Sequence, residues 1–170
     1  MRIGIEGSTW DYPRGFGRYT RELTHALARV WSPHELTLVI HSSAAGRADL
    51  PDMPRNVIPT RSTDVGVAAA EQRRSLFEMM RTGRALSRFD AVFFPTHYSF
   101  VPVSPRVRVG LVIHDAIPET IPQEWLRPRT TRLRWNAKTR LACCQASFVA
   151  TSTLAAARAI RERLPIGNRP

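Results

Sequence analysis

This chain of 170 residues is long enough for one domain with a buried core, and 43% of its residues are hydrophobic. No apolar run reaches the roughly 18 residues that a membrane-spanning helix needs. The 25 basic residues outnumber the 14 acidic ones, giving a net charge of +11. Such a charge favours anionic partners, although a solvated basic face is the alternative.

Short apolar segments, separated by turn residues and amphipathic stretches, predict the β-strands. The segment around Pro59 is predicted to be a weak edge strand, because proline cannot donate to a sheet. The predicted strands run from Arg2 to Glu6, Glu35 to Ile40, Asn56 to Thr60, Asp90 to Phe94, Val107 to Ile113 and Ser147 to Ala150.

Apolar residues at spacings of three and four predict the helices between these strands. In the second helix, Leu76, Met80 and Leu86 are expected to face inward. Thr151 or Ser152 is expected to cap the last helix. The predicted helices run from Phe16 to Val30, from Val67 to Arg88, over about 18 residues from near Trp125, and from Thr153 to Leu164.

Continuous apolar strands that alternate with amphipathic helices predict the fold class. They favour a mostly parallel α/β sheet with helices on both faces, doubly wound and Rossmann-like. No internal repeat or low-complexity linker divides the chain. We therefore expect residues 1–170 to form a single domain.

The most informative segment is the end of the fifth predicted strand, where an apolar run stops at His114 and Asp115. Open α/β sheets bind ligands in the crevice beyond the carboxyl ends of their strands. A histidine beside an aspartate can position hydroxyl groups or take part in proton transfer. The pair is the first candidate for a functional site.

Three other strand ends carry polar or glycine residues. Gly15-Phe16-Gly17-Arg18 begins the first helix, where glycines, free N–H groups and an arginine can receive a phosphate. His97 and Tyr98 follow the fourth strand, and Ser152 follows the sixth. Each also has an ordinary structural reading, as turn glycines, a hydrogen-bonding histidine or a helix cap.

The sequence around these residues resembles the N-terminal domain of GT-B-fold glycosyltransferases of the retaining family 4, also called group 1. The resemblance covers nearly the whole chain. It rests on Met1–Gly7 (MRIGIEG), Gly15–Tyr19 (GFGRY), Phe93–His97 (FFPTH), Val112–Glu119 (VIHDAIPE) and Ala146–Ser152 (ASFVATS).

The resemblance implies one lobe of a two-lobed enzyme that moves a sugar from a nucleotide-sugar to an acceptor with retention. Gly15 to Arg18 would contact the donor diphosphate, His114 the transferred sugar, with Asp115 supporting it. His97, Tyr98 and Ser152 would line the acceptor side. No metal and no cofactor are expected, because basic side chains and helix termini neutralise the diphosphate.

The sequence departs from the family pattern in three places. Glu6-Gly7-Ser8 replaces a more usual aspartate-containing turn, and Cys143-Cys144-Gln145 replaces a charged pair. Residues 1–170 are expected to lack the donor-binding C-terminal domain, and therefore to be inactive alone and to need that domain in cis or in trans. The alternative is a non-catalytic binding or regulatory module that kept the fold.

Location and other partners are predicted from composition. The first apolar run is too short for a signal peptide, which predicts a cytoplasmic protein. Trp125 and Trp135 among arginines suggest peripheral binding to an anionic inner-membrane face, as do Phe77, Met79 and Met80, unless Trp135 is part of the core. No helix-turn-helix or RNA-recognition motif accompanies the arginines, so nucleic acid is not the expected partner.

Overall fold

A six-stranded sheet with every neighbouring pair parallel organises the protein. The computed structural model describes residues 1–13, 15–30, 32–60 and 75–167. The strand order is β3-β2-β1-β4-β5-β6, that of doubly wound Rossmann-like sheets. The strands are Arg2–Glu6 (β1), Glu35–His41 (β2), Arg55–Ile58 (β3), Ala91–Phe94 (β4), Arg108–Val112 (β5) and Ala146–Ala150 (β6).

Helices connect the strands and flank the sheet. A 3₁₀ turn at His97–Ser99 follows β4. In the part of the chain that is described, no helix is long and apolar enough to cross a bilayer. The α-helices are Gly15–Arg29 (α1), Leu76–Leu86 (α2), Ile117–Thr120 (α3), Pro122–Trp125 (α4), Arg129–Gln145 (α5) and Leu154–Arg163 (α6).

Both faces of the sheet are buried, as the alternation of side chains along β2 shows. Leu38 and Ile40 pack into one core cluster with Trp10, against Leu27 of α1. Val39, which lies between them, belongs to the opposite cluster with Leu86 of α2. A strand covered on both faces needs apolar residues at consecutive positions, which explains the unbroken apolar runs in the sequence.

The predicted strands and the fold class are confirmed, and β3 is an edge strand as Pro59 suggested. The helix of about 18 residues predicted from near Trp125 is confirmed as α5, which begins at Arg129 and has 17 residues, and the short helices α3 and α4 precede it. Pro122 and Pro128 stand at the starts of α4 and α5, because proline has no N–H to continue a preceding helix.

The orientation predicted for the second helix is wrong at two positions. Leu76 and Met80 are 77% and 61% exposed, whereas Leu86 is buried. Gly83 accounts for the difference, because a Cβ there would lie 2.4 Å from the carbonyl oxygen of Pro102. That close approach turns the glycine face of α2 toward the core. The predicted first turns, residues 67–74, lie outside the described residues.

The cap predicted for the last helix is also wrong. Thr153 is the N-cap of α6, and its Oγ1 accepts a hydrogen bond from the N–H of Ala156 at 3.1 Å. Thr151 and Ser152 lie before this position. Three hydroxyl residues in a row left the choice open in the sequence, and the point where the chain turns into the helix decides it.

Candidate functional site

The candidate site lies at the carboxyl end of the sheet, beside the neighbouring strands β1 and β4. The chain leaves β1 toward β2 on one side, while β4 lies on the other, so this is the point where the strand order reverses. Ligands of open α/β sheets bind in the crevice at such a point. Ring contacts connect the segments here: Tyr19 with His114 at 4.8 Å, and Phe16 with Tyr98 at 4.9 Å. Tyr19, one residue after the glycine turn, thus brings the first turns of α1 against His114.

The glycine turn is fixed by the loop that precedes it. A Cβ on Gly17 would lie 2.0 Å from the carbonyl oxygen of Tyr12, so no other residue fits without moving the backbone. Gly15 has φ of +37°, which also favours glycine. The Arg21 guanidinium donates to the carbonyl oxygens of Trp10 and Tyr12. Loop geometry therefore explains both glycines. The first N–H groups of α1 have no acceptor within the helix, and Arg18 is exposed near them.

A row of aromatic rings crosses the site from the first loop to α5. Tyr12 stacks on Phe16 at 4.5 Å, Phe16 on Tyr98 at 4.9 Å, and Tyr98 lies 5.2 Å from Trp135. Trp135 is buried and the other three rings are partly exposed. The row joins elements far apart in the sequence and holds the tip of β4 against the start of α1.

His114 presents a neutral imidazole. Its Nε2 lies 3.0 Å from the carbonyl oxygen of Pro95, and because a carbonyl only accepts, Nε2 carries the proton. Burial lowers the pKa of His114 from its usual 6.5, although the Pro95 bond and the charge of Asp115 act in the opposite direction. At neutral pH the remaining nitrogen, Nδ1, is therefore a hydrogen-bond acceptor.

Asp115 performs a local structural task. Its Oδ1 accepts a hydrogen bond from the N–H of Ile117 at 3.0 Å, at the start of the short α3 helix. The support expected for His114 comes mainly from Pro95 and from the edge of the Tyr19 ring. The negative charge of Asp115 favours the protonated imidazole and so partly offsets the lowering of the His114 pKa by burial.

His97 is enclosed, which changes the expectation that it faces an acceptor. Its side chain is 2% exposed and lies against Tyr98 and Trp135, at ring distances of 4.4 and 5.3 Å. Burial, followed by the positive charge of Lys138 and that of His114 when it is protonated, lowers its pKa to about 3. Of the two residues predicted on the acceptor side after β4, only Tyr98 has exposed surface, and burial holds its phenol protonated by raising its pKa.

Ser152 does not join this group. It is exposed after the carboxyl end of β6, which is separated from β4 by β5, and no ring or hydrogen-bond contact connects it with His114 or Tyr98 among the described residues. Its prediction as an acceptor ligand rests on its place at the same edge of the sheet.

Sequence reasoning missed three charged residues of the site. Glu119 Oε1 accepts from Trp135 Nε1 at 2.6 Å, and burial raises the pKa of this carboxyl. Lys138 Nζ donates to the carbonyl oxygen of Tyr98. Glu6 is buried at the end of β1, where its Oε1 accepts from the N–H of Ser8 at 2.9 Å. A carboxylate that ends an apolar strand, and the only lysine of the chain, were the available clues.

Within residues 1–13, 15–30, 32–60 and 75–167, no cluster of three or more His, Cys, Asp or Glu side chains is placed to hold a metal ion. The prediction that Trp135 contacts a membrane is wrong, because this side chain is core. Trp125, Phe77 and Met80 are exposed, whereas Met79 packs against the core.

Comparison with protein-family models and with curated proteins found no match to this chain. The resemblance of its motifs to the retaining glycosyltransferases therefore stays a hypothesis. The fold, the common edge of the sheet and the contacts of His114 are the observations on which a function can be built.

Proposed function

We propose that this chain is the acceptor-side lobe of a retaining glycosyltransferase of the GT-B type, which moves a sugar from a nucleotide-sugar and requires a second, donor-binding lobe. The observation that carries the proposal is the meeting of three segments at the switch point of the sheet. The start of α1, the tip of β4 and His114 are joined there by ring contacts. Such a crevice is where an open α/β sheet binds ligands.

The start of α1 would receive the donor diphosphate. Its free N–H groups and the positive end of the helix dipole attract anions, and the Arg18 guanidinium can bind two phosphate oxygens at once. Gly15, Phe16 and Gly17 are the first three residues of this helix. These groups would stabilise the negative charge of the leaving diphosphate.

His114 would orient the transferred sugar. A neutral imidazole whose Nε2–H is held by Pro95 offers Nδ1 as an acceptor for a sugar hydroxyl. The acceptor hydroxyl then forms the new glycosidic C–O bond on the face from which the diphosphate leaves, and its proton passes to a departing phosphate oxygen. His114 acts in this scheme as a hydrogen-bond partner and forms no covalent intermediate.

The acceptor would approach along the partly exposed rings of Tyr98 and Phe16. Tyr12, Phe16 and Tyr98 stack on one another, and an acceptor that carries a sugar or another hydroxylated ring can pack on the ring surface that stays exposed. Asp115 and Ser152 are assigned to the same edge of the sheet. A cytoplasmic location and a nucleotide-sugar as co-substrate belong to this proposal.

The test is transfer by the chain together with a cognate donor lobe, supplied in cis or in trans. His114→Ala is expected to lower turnover by about 100-fold, the effect of losing one aligned hydrogen bond in a reacting site. His34→Ala, which changes an exposed histidine, is the matched control and should keep full turnover. Full turnover of a folded His114→Ala variant would remove the assignment.

A non-catalytic module is the second candidate function. It is favoured by the local tasks of three site residues: Gly17 accommodates the Tyr12 carbonyl, Asp115 holds α3, and His97 is enclosed. If a cognate donor lobe restores no transfer while the crevice still binds a nucleotide-sugar, this second function replaces the first.

We also propose contact with an anionic membrane through α4 and the first half of α5. Leu133 and Trp125 are 72% and 50% exposed, and exposed arginines lie beside them at Arg129, Arg132 and Arg134. Vesicles of phosphatidylglycerol should sediment the protein, and Leu133→Asp should weaken this. Equal sedimentation with phosphatidylcholine would contradict the proposal.

A further inference from the structure

The opposite end of the sheet carries a concave surface with a volume of about 490 Å³. It lies where β1, β4 and β5 begin, and the residues that follow α2 and the turn before β5 complete its walls. It is therefore separate from the crevice at the carboxyl end. The lining residues are Met1, Arg2, Ser87, Arg88, Phe89, Asp90, Ser104, Arg106, Val107 and Arg108.

Positive charge dominates this surface, hereafter the amino-end cleft. Its one carboxylate, Asp90, is already engaged by Arg2, whose N–H donates to Oδ2 at 2.7 Å and whose guanidinium lies 3.8 Å from Oδ1. Arg88, Arg106 and Arg108 make no salt bridge to any of the described residues. Three uncompensated guanidinium groups around one concavity repel each other, and an anion between them would relieve that repulsion.

The lining of the amino-end cleft combines apolar surface with the arginine side chains. Val107 is buried and Phe89 is half-buried, so part of the lining is apolar. The arginines themselves are exposed, so anion binding here should weaken as the salt concentration rises. The planar guanidinium can bind two phosphate oxygens at once, which a single-point cation cannot do.

We propose that the amino-end cleft binds a compact polyanion with at least two phosphate groups. Its volume lies within the range of small-molecule sites, and four arginines match a ligand of several negative charges. The site is independent of the proposed sugar transfer, because none of its residues belongs to the crevice.

The test is calorimetric titration of the chain with inorganic tripolyphosphate at low salt. We expect saturable binding that is weakened at least tenfold in Arg106→Ala/Arg108→Ala. The matched control, Arg158→Ala/Arg161→Ala, removes the same charge from exposed positions on α6 and should keep wild-type affinity. Arg18→Ala serves as the background for a repeat titration, in which the proposed diphosphate site makes no contribution to binding.

Two further measurements test whether the guanidinium geometry matters and whether the variants are folded. Arg106→Lys/Arg108→Lys keeps the charge but loses the planar fork, so its affinity should fall between wild type and the alanine variant. Circular dichroism checks that every variant is folded. Equal weakening by both alanine pairs, loss of binding in Arg18→Ala, or no saturable binding to the folded wild type would overturn the proposal.

Discussion

The two ends of the sheet differ in how they hold charge. At the carboxyl end, His97 and His114 are neutral because burial lowers the pKa of each. The Glu119 carboxylate there accepts a hydrogen bond from the Trp135 indole N–H. At the amino end, arginines are exposed and most of them make no salt bridge to the described residues. One backbone architecture thus supports an enclosed polar site and an open cationic one.

The difference teaches which forces act at each end. Enclosed groups interact in low dielectric, so the direction of a hydrogen bond and the protonation state of a ring matter there. Exposed charges are screened by water and salt, so their effect depends on ionic strength and on the number of charges. Substitutions at the carboxyl end should change stability, whereas those at the amino end should change mainly anion binding.

The largest effect is expected from the pH dependence of stability at His97. Its pKa is about 3 when folded and 6.5 when unfolded, so the unfolded state binds the proton more readily. Stability is therefore lost as the pH falls from 6.5 toward 3, by on the order of 5 kcal/mol in total.

His97→Gln should reduce this loss, which urea unfolding at pH 7 and pH 4.5 measures as a smaller difference between the two values. His34→Gln, at an exposed histidine, should retain the wild-type difference. An unchanged difference in His97→Gln would mean that the carboxyl end is more open than its burial indicates.

The next effect concerns the glycine turn. Gly17→Ala places a Cβ against the Tyr12 carbonyl, and forced packing of this kind costs roughly 1–3 kcal/mol. Gly46→Ala is the matched control, because nothing lies within 4 Å of a Cβ at that position. Thermal unfolding should show a lower midpoint for the first variant alone, and equal midpoints would contradict the close approach.

A smaller effect is expected at the start of α6. Thr153→Ala removes the hydroxyl that accepts from the N–H of Ala156, a loss of about 1 kcal/mol. Ser152→Ala, one residue earlier, should change the free energy of unfolding much less. Chemical denaturation compares the two variants, and a larger loss in Ser152→Ala would restore the cap predicted from the sequence.

The smallest effect is expected at the amino end. Asp90→Asn removes the charge that faces Arg2 but keeps an oxygen able to accept from the Arg2 N–H. Because the pair is exposed, the unfolding midpoint should not change measurably in 0.15 M salt. A loss as large as that of Thr153→Ala would show that this end also depends on enclosed electrostatics.

The pattern of residues was sufficient to predict the strands and the edge on which the site lies. Apolar runs such as Ile3 to Ile5 can be buried on both faces only in a covered parallel sheet. The carboxyl ends of parallel strands lie at one edge, so the residues that follow β1, β4 and β5 are brought together.

Other properties were decided by contacts between distant segments. The close approach of Gly83 to the Pro102 carbonyl oxygen decides which face of α2 is buried. The contact with Trp135, which lies far along the chain, encloses His97. Neither relationship is visible in local periodicity, because each depends on the position of a partner on another element.

The sequence by itself determined the parallel architecture, the edge that carries the candidate site and its chemically active residue types, since these follow from local hydrophobic pattern and strand direction. Only the tertiary structure decided the protonation of His114, the structural tasks of Gly17 and Asp115, and the cleft at the amino end. The physical reason is that burial, hydrogen-bond partners and charge spacing are properties of residues brought together by folding.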